Sequence, residues 1–214
     1  MIKEVDNMKL NVQNMYNDAE TDELELKPNQ ITILVGKNGY GKSSLMAGIE
    51  EWCKNNNAIC VKWSDTEYGR DRGRSTLGFN EDYGGLAGML FVSEGQAMMT
   101  SINKFFIGNC IKAINNRKPG STMIFLLLDQ IDSGLDIHQV NYIKDVIRDT
   151  LIKDMHGRVK LDVYPILTAN SFELVVDEDC VDPITRKHMV FRSLIDYRHY
   201  IDSLYDPEEE DKPR

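Results

Sequence analysis

The sequence has few cysteines and no long apolar segment. Its four cysteines form no Cys-x-x-Cys pair and no cluster with metal-ligand spacing, which favours reduced thiols with structural roles. No apolar run approaches the length that a helix needs to cross a bilayer. The first six residues lack the charged-then-apolar layout of a signal peptide. We therefore expect a soluble, cytoplasmic protein without direct membrane insertion.

An excess of positive charge is also lacking. The chain has 25 Lys and Arg against 34 Asp and Glu, a formal net charge of −9, which argues against a general electrostatic grip on nucleic acid. A local basic patch stays open. Arg70, Arg72 and Arg74 form either a loop that contacts phosphate or nucleic acid, or a solvated turn paired with nearby carboxylates. The length of 214 residues predicts a single domain, residues 1–205, and an acidic, disordered tail, 206–214.

Predicted strands and helices alternate along the chain. Strands are predicted at 9–12, 23–26, 31–35, 58–63, 123–128, 161–167 and 188–191, and helices at 44–54, 93–116, 137–155, from 171, and at 193–204. The apolar run 123–128 is typical of a central parallel strand buried on both faces, whereas Pro165 indicates an edge position for 161–167. The order predicts an α/β fold with a mainly parallel central sheet and an antiparallel N-terminal β part.

One glycine-rich segment fits the phosphate-loop pattern G-x-x-x-x-G-K-[ST]: Gly36-Lys37-Asn38-Gly39-Tyr40-Gly41-Lys42-Ser43. A predicted strand precedes it and a predicted helix follows at Ser44, which is the context that the motif requires. Glycines let successive N–H groups converge on a phosphate, and the helix start adds positive partial charge. Lys42 would reach the β- and γ-phosphates of a nucleotide, and the Ser43 hydroxyl would ligate Mg²⁺. The candidate nucleotide-binding residues here are Gly36, Asn38, Gly39, Gly41, Lys42, Ser43 and Ser44.

Further segments narrow the class. An apolar strand ends in Asp129, a carboxylate suited to hold Mg²⁺ opposite Ser43. The chain continues Gln130-Ile131-Asp132-Ser133-Gly134-Leu135-Asp136, and upstream it contains Val92-Ser93-Glu94-Gly95-Gln96. Together these segments resemble the ATP-binding cassette (ABC) ATPases. LLLDQIDSGLD is similar to that family's Walker B and D-loop pattern LLLDEPTSGLD, VSEGQ is similar to its signature LSGGQ, and the motifs follow the family order.

The resemblance implies an ABC-type P-loop fold with a reduced helical subdomain, at about residues 64–118, and an ATP–Mg²⁺ site that two chains complete. Ser93 and Gly95, followed by Gln96, would then donate to the γ-phosphate held by the partner copy, giving an ATP-dependent homodimer. The alternative for this segment is a simple helix cap. Tyr16 either stacks on adenine, as an aromatic does in many family members, or is a tyrosine on a half-buried loop.

The chain departs from the ABC pattern at three functional positions. Gln130 stands at the catalytic glutamate position, and an amide can hydrogen-bond the attacking water but cannot accept its proton. Either the chain is a natural slow or inactive hydrolase, or the residue is a deliberate Glu→Gln substitution that traps the ATP-bound dimer. The switch histidine, expected after a strand and a Thr or Ser, is absent, since Thr168 is followed by Ala169-Asn170; Asn170 would contact the γ-phosphate side. No glutamine separates the phosphate loop from the signature, so Ser64 or Asp65 would take over part of the Q-loop contact.

Three functions remain open. The first is a soluble homodimeric ABC-type ATPase, a switch or motor subunit, since residues 26–36 resemble the heads of DNA-repair and chromosome-maintenance ATPases. The second is the nucleotide-binding subunit of a membrane transporter. The third is a non-hydrolysing ATP-gated interaction module in which Gln130 is native. We favour the first over the transporter subunit because the Q-loop glutamine is absent, and transporters couple to their membrane partner in that segment. A further protein partner is compatible with each of the three functions.

Overall fold

The structure is a computed structural model that describes residues 7–13, 21–64, 99, 102, 106–132 and 135–205. Its strands are β1 (Met8–Gln13), β2 (Thr21–Leu26), β3 (Thr32–Leu34), β4 (Ile59–Ser64), β5 (Met123–Asp129), β6 (Asp162–Thr168), β7 (Asp179–Val181) and β8 (His188–Met189). Its helices are α1 (Lys42–Asn55), α2 (Ile107–Asn115), α3 (Ile137–Asp145), α4 (Phe172–Val175) and α5 (Leu194–Ser203). After α3 the chain continues in π-helical turns at Val146–Ile152 and Met155–Val159. No helix in these ranges is long and apolar enough to span a bilayer.

Six strands form the central sheet, in the order β4-β5-β6-β3-β7-β8. All neighbours pair in parallel except β8, which runs antiparallel to β7. Strands β1 and β2 form a separate antiparallel pair, with Met8 opposite Leu26. The predicted α/β class, with a mainly parallel sheet and an antiparallel N-terminal β part, is confirmed.

Strand β5 is the doubly buried strand that the apolar run predicts. Residues 124–128 are all fully buried, and they alternate between two hydrophobic clusters because successive strand side chains point to opposite faces. Leu126 packs with residues of α3 on one face. Phe125 packs with α1 and the β1–β2 pair on the other, and its ring stacks on Tyr164 at 4.8 Å between centroids. Packing on both faces holds the carboxyl edge of the sheet in one place.

The edge position predicted from Pro165 is wrong. Strand β6 lies inside the sheet between β5 and β3, with Pro165 opposite Leu126. Proline is tolerated because strand N–H groups point alternately to the two sides. The N–H of Val163 is bonded to Asn29, on the β3 side, so the missing N–H of Pro165 falls on that side too. Pairing with β3 begins only at Thr32 opposite Ile166, one residue later.

The other predicted elements correspond to observed ones within a few residues. The helices predicted at 44–54 and 193–204 are α1 and α5, and that at 137–155 is α3 with its π-helical continuation. The short strand β7 has no counterpart among the predictions. Of the helix predicted at 93–116, the described residues include α2. Tyr16, the Arg70–Arg74 loop and the 206–214 tail lie outside the described residues.

Candidate nucleotide-binding site

The strand order brings the phosphate loop and Asp129 to the same edge of the sheet. Strands β3 and β5 lie on either side of β6, all parallel, so their carboxyl ends meet. Leu34, near the start of the loop, pairs with Thr168, and Leu128, before Asp129, pairs with Leu167. The end of β6 therefore stands between the loop that follows β3 and the carboxylate that ends β5.

The phosphate loop has the backbone conformation that its glycines permit. Gly36, Gly39 and Gly41 have φ of +146°, +77° and +88°, which side chains disfavour. At Gly36 space is limiting as well, since an added Cβ would lie 2.5 Å from the Tyr40 ring. Gly41 stands at the N-cap of α1, where Leu45 N donates to its carbonyl at 2.9 Å. The loop thus ends in a helix start whose free N–H groups suit an anion.

Lys42 is a buried cation inside this loop. Its side chain is 7% exposed, and its Nζ donates to the carbonyl oxygens of Gly36 at 2.5 Å and Lys37 at 3.2 Å. Burial lowers the Lys42 pKa, and the charges of Asp132 and Asp129 oppose that shift. Two carboxylates are therefore near enough to stabilise the ammonium ion.

A chain of hydrogen bonds joins the loop to β5 and β6. The Ser43 hydroxyl donates to Asp129 Oδ2 at 2.9 Å, and the fully buried Thr168 donates to Asp129 Oδ1 at 2.7 Å. Thr168 also accepts from the backbone N–H of Gln130 at 2.7 Å. Mg²⁺ in nucleotide sites is commonly held by one or two carboxylates together with phosphate oxygens. The adjacent Ser43 hydroxyl and Asp129 carboxylate fit that donor set.

A cleft of about 130 Å³ lies over these groups. It is lined by Asn38, Gly39, Tyr40, Gly41, Lys42, Ser43, Ser44, Gln130 and Asn170. The structure thus brings most of the predicted loop residues together with Gln130 and Asn170. Gln130 is exposed and has φ of +57°, an unusual value for a residue with a side chain and one that recurs at functional sites. The cleft is smaller than the roughly 300 Å³ of ordinary ligand pockets, and so suits a phosphate chain better than a whole nucleotide.

Asp132 is a site residue that the sequence reasoning missed. Its Oδ2 accepts from the backbone N–H groups of Asn170 and Ser171, both at 2.7 Å, and the side chain is 8% exposed. Its Oδ1 is buried, and no donor in the described part of the chain reaches it. The signal was present, because the pattern LLLDEPTSGLD has a threonine where this chain has a carboxylate. Asp132 fixes the segment after β6, and with it Asn170, to the segment after β5.

Residues of α5 and of the segment after β7 also hold the phosphate loop in place. Tyr200 donates to Asp182 Oδ2 at 3.0 Å and Tyr40 donates to the same oxygen at 3.5 Å. Burial is the main cause of a raised pKa at both phenols, with Asp182 adding to it, so both remain protonated donors at neutral pH. Lys37 donates to the Leu204 carbonyl at 2.6 Å, and its Nζ lies 4.7 Å from the Tyr205 ring centroid. Helix α5 thus supports the phosphate loop.

The described residues include only part of the predicted site. Tyr16, Asp65 and the signature residues Ser93, Gly95 and Gln96 lie outside the described residues, as do Ser133 and Gly134 of the D-loop. Ser64 is described: it is 4% exposed and pairs with Asp129 in the β4–β5 register. The described residues therefore include the phosphate loop, Asp129, Gln130 and Asn170 of the predicted site.

No protein-family model and no curated protein matches the chain. Solved structures do. An ATP-bound bacterial Atm1-family ABC exporter has a TM-score of 0.50 at 13% identity, over 96% of this chain and 43% of the exporter. The fold is that of an ATP-binding cassette. An inward-facing ABC transporter of metal-chelate type has a TM-score of 0.47 at 17% identity, over 91% of this chain and 87% of that one. The ATP-binding cassette of another ABC transporter, in its ADP conformation, has a TM-score of 0.46 at 12% identity, over 94% of this chain and 100% of that one. The predicted affinity to DNA-repair heads has no support among these three.

Replacing Thr168 by Val tests the hydrogen-bonded chain. Val keeps the side-chain shape but leaves the Gln130 N–H without its acceptor and Asp129 with one donor fewer. We expect the free energy of unfolding, measured with urea, to fall by about 1–3 kcal/mol. Thr122→Val, at an exposed site, is the matched control and should change it by less than about 0.5 kcal/mol. Equal stability of the two variants would show that Thr168 does not hold the site together.

Proposed function

We propose that this chain is an ABC-type ATPase unit that binds ATP together with Mg²⁺. The observation that carries the proposal is the cleft in which the phosphate loop, Gln130 and Asn170 meet above the hydrogen-bonded Ser43–Asp129 pair. The cassette fold agrees with it, as does the motif order of the sequence. The domain proposed for this function is residues 1–205.

Each residue has a proposed role in this site. The loop N–H groups and Lys42 bind the phosphates, while Ser43 and Asp129 hold the metal ion. Bound Mg²⁺ would neutralise charge on the phosphate oxygens. Asn170, positioned by Asp132, would contact the terminal phosphate. Gln130 would orient the attacking water without accepting its proton, so hydrolysis by this sequence is expected to be slow.

Lys42→Ala is expected to weaken ATP binding by at least about 30-fold, because truncating one member of a buried charge pair costs on the order of 2–5 kcal/mol. Isothermal titration calorimetry with ATP and Mg²⁺ measures the change. The matched control is Lys54→Ala in the same helix, where the lysine is exposed and pairs with Glu50 at the surface. A nucleotide affinity unchanged by Lys42→Ala, in a variant that keeps its circular dichroism spectrum, would contradict the proposed site.

Gln130→Glu is expected to raise the ATP turnover number by about 10²-fold or more, because a carboxylate at this position can act as general base. Release of inorganic phosphate under single-turnover conditions measures the change. Gln139→Glu is the matched control, since a glutamate preserves the capping box that Gln139 forms with Asp136 at the start of α3. No gain from Gln130→Glu would favour a non-hydrolysing ATP-gated module over an ATPase.

We further propose that a second copy of the chain completes the site through Ser93, Gly95 and Gln96, with Tyr16 against the adenine.

Light scattering on a sizing column should give the 24.5 kDa monomer without nucleotide and twice that mass with ATP and Mg²⁺. Ser93→Arg should block the doubling by adding bulk at the interface while leaving monomer binding of ATP intact. Thr150→Arg, an exposed site on the turns after α3, should not block it. Normal ATP-driven dimerisation of Ser93→Arg would refute the signature assignment.

The second candidate is the nucleotide-binding subunit of a membrane transporter. The fold likeness to the Atm1-family exporter favours it, and the cytoplasmic location we propose agrees with either candidate. A mass that ATP does not change, together with copurification of a polytopic membrane protein, would decide for the transporter. A mass that doubles with ATP, without any copurifying membrane protein, would decide for the soluble switch.

A further inference from the structure

Two cysteine side chains meet at the end of α1 that is remote from the phosphate loop. Cys53 lies in the last turns of α1, and Cys60 is the second residue of β4. A short turn joins them, closed by the Ala58 N–H bond to the Cys53 carbonyl at 3.2 Å. Both side chains pack in the hydrophobic cluster on the α1 face of the sheet. Cys53 is 1% exposed, whereas Cys60 is half-buried, and both side chains lie in the wall of one cavity.

The thiol pair opens into a cavity of about 420 Å³ whose wall carries several cations. Lys54, Lys62, Arg117 and Lys118 line it together with Cys53 and Cys60. Glu50 is the carboxylate of this wall, and it pairs with Lys54 at 2.8 Å and Lys62 at 3.7 Å. The guanidinium and ammonium groups of Arg117 and Lys118 therefore give the cavity a positive surplus. Its volume lies in the range of small-molecule pockets, about 300–1,000 Å³.

The two thiols have different surroundings, which indicate different roles in a reaction. The neighbouring Cys53 thiol is the main cause of a lowered Cys60 pKa, helped by Lys54 and Lys62 and opposed by burial and Glu50. The neighbouring Cys60, together with burial, raises the pKa of Cys53. A thiolate is the nucleophile in disulfide exchange. Cys60 is also the more exposed of the two, so it is the attacking thiol, and the buried Cys53 behind it is placed to resolve the product.

We propose that Cys60 and Cys53 form a thiol–disulfide exchange site for an anionic small-molecule disulfide such as oxidised glutathione. The Cys60 thiolate attacks one sulfur of the disulfide, whose S–S bond breaks and releases a first small thiolate. Cys53 then loses its proton to solvent and attacks the Cys60 sulfur, which releases the second small thiolate. Two protein thiols are oxidised to one disulfide, and the small disulfide is reduced to two thiols. This goes beyond the structural role that composition suggests for the cysteines.

The product would tie the last turn of α1 to β4. Because α1 begins at the phosphate loop, the link would stiffen the helix on which that loop is built. The inference itself uses no property of the nucleotide site, so it stands or falls separately from the proposed ATPase function.

The test exposes the full chain to oxidised glutathione and maps its disulfides by mass spectrometry. In the unmodified sequence we expect a Cys53–Cys60 link. Cys53→Ala should instead accumulate a mixed disulfide at Cys60, and Cys60→Ser should form neither product. Cys60 should react at least about tenfold faster than Cys110 and Cys180, which are buried. Cys180→Ala is the matched control and should leave the link unchanged.

Charge selectivity supplies a second readout. Arg117→Glu with Lys118→Glu, both at exposed positions, should slow the reaction with oxidised glutathione but not that with neutral 2-hydroxyethyl disulfide. No link in the unmodified chain and no adduct in Cys53→Ala would overturn the proposal. An adduct at Cys60 without a link would overturn the resolving role of Cys53, and equal slowing of both disulfides would overturn the anionic specificity.

Discussion

The hydrogen bonds of Thr168 are the contact on which the arrangement of the site depends. Thr168 ends β6, and β6 separates the strand of the phosphate loop from the strand of Asp129. A direct pairing of β3 with β5 would place the loop and the carboxylate closer together. With β6 inserted, Ser43 joins the loop to Asp129, and Thr168 holds the same carboxylate from the β6 side. By bonding both Asp129 and the Gln130 N–H, Thr168 sets the direction of the carboxylate and the path of the chain after it. At this point of the chain Gln130 has a positive φ.

Support of the phosphate loop from its far side comes from residues distant in sequence. Asp182, after β7, receives the phenols of Tyr40 and Tyr200, and Lys37 reaches the last turn at Leu204. A glycine-rich loop has little stiffness of its own, because glycine restricts the backbone least. Contacts with α5 give the loop the stiffness that its glycines do not provide. The site is thus held by β5 and β6 on one side and by α5 on the other.

The phosphate loop and the β5 carboxylate could be predicted because each depends on a few adjacent residues: glycines at fixed spacing, and an apolar run ending in Asp129. Strand order was harder. Pro165 indicated an edge strand, but the strand lies inside the sheet. The sheet accommodates the proline because β3 begins to pair with β6 only at Ile166, one residue later. Asp132 and Thr168 act through partners about 38 residues away along the chain, a separation at which local patterns carry no information. Strand β7 was missed because three residues are too few to show a period.

The carbonyl oxygens that hold Lys42 have a thermodynamic consequence. A phosphate that recruits this ammonium group replaces hydrogen bonds that already exist, so the affinity it gains is an exchange free energy and not the strength of a new contact. The larger part of the gain then comes from the attraction between opposite charges, which is strong for a buried ammonium group such as that of Lys42. An uncharged mimic of phosphate would forfeit that part and still pay for the exchange. Discrimination between anions and neutral ligands is therefore built into the resting position of one side chain.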